Sequence, residues 1–353
     1  MQLKGTSRAG GNKSIRIAVD AMGGDYAPRE VVYGSILAAQ EYGVEVQLVG
    51  VPEAIYPELA RHPESSGLNI TVIPASEVVS MEEKPSRAIL KKKDSSIVVT
   101  TRQVSEGLAD GMVAAGSTGA AAVAAQIGLR RITNVARSAI ACVMPTIQND
   151  HPVILLDAGA NVECDARELH QFGLMGAILS RGLFNRENPK VALLNIGTEE
   201  TKGTELLHEA YELFRNDKKI NFAGYIEGRD FPMAKVDVVV TDGFTGNCTL
   251  KTSEGIARMI VHMLRQELLS TTRGKIGSLI ARPSFQSLRA RIDYNEYGGA
   301  LLIGVKGVCV IAHGGSKHTA IKNAIRVAAN MVRSDIVNQI ENTLARVAAG
   351  SRA

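Results

Sequence analysis

Six short stretches of this chain combine glycine with hydroxyl, amide or carboxylate side chains, and each directly follows an apolar, mostly β-branched run. They read DAMGGD (20–25), GSTG (116–119), DAGAN (157–161), GTE (197–199), DGFTGN (242–247) and HGGS (313–316). Glycine lets a ligand approach the backbone, and a helix starting just beyond offers unpaired N–H groups; together they suit an anion such as phosphate. Gly116, Ser117, Thr118 and Gly119 are therefore candidates for a phosphate cradle, with Thr245 and Gly246 in a second loop. Asn161 and Asn247 are neutral donors suited to a phosphate oxygen or a developing oxyanion. Lys202 and Lys251 follow their loops and could offset anionic charge, and His313 could protonate a leaving group. Each has a plainer alternative. Ser117 or Thr118 could simply cap a helix, the asparagines could serve left-handed turns, the lysines could be solvated, and His313 could be a buried or capping residue. Asp20, Asp25, Asp157 and Asp242 read as loop organisers, since carboxylates would repel phosphate.

The elements that must position these loops are short strands expected at 15–19, 44–49, 70–73, 111–115, 153–156, 191–196, 236–241 and 307–312. Residues 97–100 fit either a strand or the start of a helix reaching Leu108. Strands apolar on both faces, alternating with helical stretches, imply a parallel sheet covered on both sides: a doubly wound, three-layer Rossmann-like α/β fold. In such a fold ligands bind outside the carboxyl ends of the strands, so all six loops are expected at one crevice. A helix is expected over 320–344.

Absences narrow the chemistry. No loop matches GxxxxGK[ST] or GxGxxG, and no GxSxG elbow occurs, which disfavours Walker-type hydrolysis, dinucleotide binding and a serine nucleophile. The four cysteines form no CxxC cluster, so no metal site and a reducing cytoplasm are expected, with no cofactor. With 353 residues, 45% hydrophobic and 22% charged, the chain can bury a sizeable core. A net charge of +4, no Trp and 4% aromatics argue against a nucleic-acid partner. No run of about 18 apolar residues suggests a membrane span, and 1–14 lacks a signal-peptide core. The expected organisation is a flexible tail at 1–14, one α/β domain at 15–345 and a flexible tail at 346–353.

The segments IAVDAMGGD (17–25), AGSTGA (115–120), LLDAGANVE (155–163), LLNIGTEETKG (193–203), VVVTDGFTGNCTLKTSEG (238–255) and EYGGALLIGVKG (296–307) resemble, in order, the bacterial phosphate acyltransferase (PlsX) family. The resemblance implies an enzyme that makes acyl phosphate from acyl-[acyl carrier protein] and inorganic phosphate, the first step toward phosphatidic acid. It implies a homodimer whose product feeds a membrane glycerol-3-phosphate acyltransferase. It further implies a fold similar to the isocitrate and isopropylmalate dehydrogenases and the phosphotransacetylases. Phosphate is already a nucleophile near neutral pH, so the site has only to orient it and stabilise the oxyanion; His313 would then protonate the leaving thiolate. A CoA-dependent phosphotransacetylase and a non-catalytic carrier-protein scaffold are the alternatives.

Two further segments fit that reading. Lys84, Arg87, Lys91 and Lys92 form a basic stretch, either a solvated face or a docking surface for an acidic carrier protein. From 254 to 292 the chain departs from the strand–helix rhythm and is expected to form a protruding helical hairpin. Its first half is amphipathic and suits dimer packing. Around Ile276, Leu279 and Ile280 it is apolar and basic, which suits an anionic membrane surface and a cytoplasmic protein peripherally attached to it.

Overall fold

The computed structural model describes residues 14–80, 82–148, 150–292 and 298–350, excluding the side chains of 289–292 and 350. The expected tail at 1–14 thus lies, except for Ser14, outside the described residues. Strand and helix alternate through β1 (Arg16–Asp20), α1 (Arg29–Tyr42), β2 (Glu45–Gly50), α2 (Pro52–Ala60), β3 (Ile70–Pro74), α3 (Pro85–Lys91), α4 (Ser96–Ser105), β4 (Gly111–Gly116) and α5 (Thr118–Gly128). The second half runs β5 (Ala139–Met144), β6 (Val153–Leu156), α6 (Ala166–Phe184), β7 (Lys190–Leu194), α7 (Glu205–Asn216), β8 (Asn221–Ile226) and β9 (Val238–Val240). Then come α8 (Gly243–Ser270), α9 (Thr272–Ile280), α10 (Arg282–Ile292), β10 (Ala300–Ile303), β11 (Val308–His313), α11 (His318–Arg333) and α12 (Ile336–Gly350).

Among the described residues eleven strands join one sheet in the order β3-β2-β1-β4-β11-β10-β5-β6-β9-β7-β8. Successive strand residues feed opposite faces, as the two-residue period requires. Ile17 and Val19 join the core under α1, α6 and α11, whereas Met112, Ala114 and Leu155 join the core under α5 and α8. The three-layer, doubly wound architecture is therefore as expected.

The sheet is not, however, parallel throughout. β10 pairs antiparallel with both β11 and β5, and β5 pairs antiparallel with β6. Strands β1 to β4 with β11 therefore run one way, and β6 to β9 the other. This corrects the expectation of a single crevice at one end of the sheet. The loops after β1, β4 and β11 leave at one end, and those after β6, β7 and β9 leave at the opposite end. Strands β5, β8 and β10 were not expected, while 97–100 proves to be part of helix α4. Neither β5 nor β10 is followed by a helix; each leads directly into an antiparallel neighbour, β6 or β11.

The C-terminal stretch breaks at Ser334 and Asp335, where Asp335 takes φ +50°, so the single helix expected over 320–344 is two. Helix α12 continues to Gly350, so most of the expected tail at 346–353 is helical; residues 351–353 lie outside the described residues. The 254–292 segment comprises the end of α8, then α9 and α10, with Pro283 in the first turn of α10, where its missing N–H costs nothing.

Leu301 lies on β10, fully buried, between Val310 of β11 and Ala141 of β5, at the junction of the two opposed halves. Leu301→Ala should destabilise the protein by about 2–5 kcal/mol. Because the sheet is continuous there, calorimetry should still show one cooperative transition at a lower temperature. Two separated transitions would mean that the halves fold independently.

Candidate active site

A cleft of about 390 Å³ lies on one face of the sheet, walled by the first turns of α5 and α8 and floored by β5, β10 and β11. It brings together Thr118, Gly119, Asn247, Lys251 and His313 from loops far apart in sequence. Although α5 and α8 start from opposite ends of the sheet, both lay their first turns across its central strands. The opposed halves thus still build one site.

The α8 wall depends on Asp157, a fully buried carboxylate just past β6. Its Oδ1 accepts hydrogen bonds from the N–H groups of Ile140, Gly159 and Ala160 at 3.0–3.1 Å. Its Oδ2 accepts from the Asn161 N–H at 2.7 Å and the Asn161 Nδ2 at 2.9 Å. Helix α8 then packs directly on this loop. A Cβ on Gly246 would sit 1.8 Å from the Asp157 carbonyl oxygen, so only glycine fits. Asp242 caps the helix, accepting from the Thr245 N–H and Thr245 Oγ1, both at 2.8 Å. These carboxylates organise loops, as expected.

The same contacts reassign several candidates. Asn161 is buried, and its amide donates to Asp157 and, at 2.9 Å, to the Ser138 carbonyl. Both of its amide hydrogens are thereby used, one on the loop and one on the residue before β5, and it does not line the cleft. Thr245 and Gly246 belong to the cap and packing of α8 and also lie outside the cleft lining. Lys202 is exposed in the loop after β7 and does not line the cleft either. Ser117 is the cap of α5, its Oγ accepting from the Ala120 N–H at 3.3 Å, so the plainer reading of that residue is the one observed.

Within the cleft, the Lys251 Nζ lies 3.2 Å from Glu254 Oε2, which also pairs with Arg258 at 3.2 Å. His313 Nδ1 accepts from the Gly315 N–H at 3.1 Å. That bond places the proton of the neutral ring on Nε2, leaving Nε2–H as a donor. Cys142 lies in the floor, where burial pushes its thiol up to about 12, a range in which it is no nucleophile.

Gly116 and Ser117 line a second cavity, of about 240 Å³, together with Asp20, Gly23, Gly24 and Ser96. Asp20 is 5% exposed. Burial raises its pKa to about 6, against the lowering effect of hydrogen bonds from Ser96, Met22 and Gly23. Sequence reasoning treated Asp20 only as a loop organiser. The signal for its burial was available: a lone carboxylate at the end of a strand, flanked by Val19 and Ala21.

Of the basic stretch, Lys84 precedes α3 and is exposed with Arg87 and Lys91, whereas Lys92 Nζ donates to Glu83 Oε2 at 2.7 Å and to the Val78 carbonyl at 2.8 Å. Ile276, Leu279 and Ile280 are 58%, 70% and 77% exposed, and Ile256, Met259, Ile260 and Met263 on α8 are about half exposed. Contiguous apolar surface of this kind marks contact with a partner or a lipid surface. Among the described residues no group of three or more His, Cys, Asp or Glu side chains could hold a metal ion, and no helix is long and apolar enough to cross a membrane.

The profile of the fatty acid synthesis protein family matches residues 15–339. The chain is 46% identical over 327 residues to a phosphate acyltransferase of Heliobacterium modesticaldum, covering 93% of this chain and 97% of that protein. It is 45% identical to a phosphate acyltransferase of Gloeobacter violaceus, covering 95% and 98% of the two chains. Among solved structures, a phosphotransacetylase from Streptococcus pyogenes superposes with a TM-score of 0.62 at 16% identity, covering 90% of this chain and 94% of that one. That likeness bears out the expected fold similarity to the phosphotransacetylases.

Asp20 gives the site a pH dependence whose sign is fixed. Folding favours the protonated carboxyl, so its stabilisation is fully present below pH 3.8 and is lost as the pH rises through about 6. Above that, holding the buried carboxylate costs about 3 kcal/mol. Asp20→Asn removes the ionisation. Its melting temperature relative to the parent should therefore rise between pH 5 and pH 8, measured by thermal unfolding across that range. A difference that does not change with pH would exclude ionisation of Asp20 as its source.

Proposed function

The chain belongs to the fatty acid synthesis protein family, and from that membership we propose that it is a phosphate acyltransferase acting on acyl-[acyl carrier protein]. Phosphate oxygen attacks the thioester carbonyl carbon; a C–O bond forms, the C–S bond breaks, and the electron pair leaves on sulfur. The products are acyl phosphate and the free carrier thiol. The observation that carries this reading is the convergence, in one cleft, of the α5 N-terminus, the Lys251 ammonium and the His313 Nε2–H.

Thr118 Oγ1 and the first N–H groups of α5 would hold phosphate, aided by the positive end of the helix. Lys251 would offset its charge, exchanging part of its contact with Glu254 for the ligand. Asn247, exposed on the opposite wall, would donate to the oxyanion, and the His313 Nε2–H would hydrogen-bond the departing sulfur, which takes up the proton given up by the attacking hydrogen phosphate. Catalysis of this kind rests on orientation and fixed donors, which fits a site with no activated nucleophile.

In the same reading the acidic carrier protein docks on Lys84, Arg87 and Lys91. Ile276, Leu279 and Ile280 rest on an anionic membrane surface from the cytoplasmic side, and the apolar face of α8 packs on a second copy. Acyl phosphate would pass to a membrane glycerol-3-phosphate acyltransferase.

The deciding assay incubates the protein with acyl-carrier protein, with and without phosphate, and with an acyl-CoA control, and measures acyl phosphate. Carrier release that ignores phosphate would sink the proposal. Two substitutions separate capping from binding. Thr118→Val should raise the KM for phosphate roughly fivefold, the loss of about 1 kcal/mol, without lowering the melting temperature. Ser117→Ala should instead lower stability by about 1 kcal/mol and leave that KM alone. The reverse pattern would exchange the two roles.

The membrane contact has its own test. Leu279→Glu should shift the protein from anionic vesicles into solution, in a co-sedimentation assay, while acyl phosphate synthesis in solution persists. Vesicle binding that is unchanged, with loss of the dimer instead, would make the tip an ordinary packing surface.

A further inference from the structure

The second cavity lies at a defined place in the fold. From β1 the chain winds outward to β2 and β3, then returns to form β4 on the other side of β1. The winding therefore reverses between β1 and β4, and the crevice outside the carboxyl ends of two such strands is where doubly wound sheets take ligands. Here that crevice is the 240 Å³ cavity, with Asp20 ending β1 and Gly116 ending β4.

Its chemistry differs from that of the cleft next to it. A buried carboxylate at the bottom repels a second anion, so phosphate is excluded on electrostatic grounds. Asp20 and Ser96, hydrogen-bonded to each other, keep acceptor lone pairs for amide N–H and hydroxyl groups, and Ser117 keeps its hydroxyl proton, while Val79, Ile97 and Ala121 supply apolar walls. The fitting ligand is an uncharged chain with a few polar groups along an aliphatic backbone.

Two neighbours set the direction of that chain. The first turn of α5 separates the cavities, with Ser117 and Ala120 facing this one and Thr118 and Gly119 facing the cleft. Val78 and Ser80 are exposed and precede α3 in the chain, where Lys84 at its start and Arg87 and Lys91 on it are exposed cations. We propose that this switch-point cavity receives the pantetheine-class arm that bears the acyl group, entering past Val78 and Ser80 and presenting its thioester at the first turn of α5. The assignment rests on the acyl-carrier reading above, and it divides the site into a neutral arm channel and an anion cleft.

The test compares Val79→Trp, which fills the cavity, with Ser80→Trp, an exposed rim position that leaves the core untouched. Each should raise the KM for acyl-carrier protein at least roughly tenfold while the KM for phosphate stays within about twofold. Free pantetheine should give a saturation-transfer NMR signal with the parent protein that Val79→Trp abolishes, with melting temperatures confirming that both variants fold. An unchanged carrier KM in both variants overturns the assignment, as does a rise in phosphate KM instead. If the parent makes no acyl phosphate yet binds pantetheine in a Val79-dependent way, the cavity assignment stands and the activity reading falls. If it makes acyl phosphate with both variants kinetically normal, the cavity assignment falls alone.

Discussion

The carboxylate of Asp157 is the constraint on which the second half of the site is built. Five hydrogen bonds converge on its two oxygens from β5, from the following loop and from the Asn161 amide. Such a set satisfies a charge that would otherwise be very costly so far from water. It also fixes the 157–161 loop relative to β5. Because Gly243 and Gly246 lie against the same loop with no room for a side chain, the start of α8 inherits its position from this one carboxylate. The placement of Asn247 and Lys251 in the cleft follows from it.

The antiparallel insertion of β10 and β5 has a comparable consequence for the whole sheet. In a wholly parallel sheet every helix N-terminus emerges at the same edge, and two of them can meet only side by side. Reversal at the centre lets α5 and α8 begin at opposite ends and confront each other across the sheet face. A ligand in the cleft then lies between the first turn of α5 and the Asn247 and Lys251 side chains of α8, with the floor of β5, β10 and β11 beneath it. The first-half loops at Gly23, Gly116 and Gly314 pack so closely that the Asp25 N–H bonds the Gly314 carbonyl, which holds the other wall in register.

How far this was legible depends on what each residue's role requires. Strands flanked by glycine loops declared themselves through local pattern, and so did the amphipathic helices. Strand direction is set by pairing between distant segments, which the apolar pattern of β5 and β10 does not specify, so the two-ended site could not be read from the sequence. Thr118, Asn247, Lys251 and His313 stood out because each lies in or just after a glycine loop, and the fold brings all four into one cleft. Asn161 and Thr245 carry the same signal but spend their donors on neighbouring carboxylates, which only the folded geometry reveals. Asp20 was underestimated because burial, which decides its protonation, belongs to the packing around it.

Helix α8 is a single rod of 28 residues, about 42 Å long, whose buried residues are Gly243, Gly246 and Leu250, all near its first turns. In mechanical terms it is a cantilever clamped at its root. A tilt of about 5° about Gly246 would carry Ser270 through about 3 Å but move Lys251 by well under 1 Å, given the helical rise per residue. The hairpin can therefore follow an uneven surface while the cleft wall stays within hydrogen-bonding tolerance. The clamp's location at the cleft end, not the stiffness of the rod alone, insulates the cleft wall from whatever the far end touches.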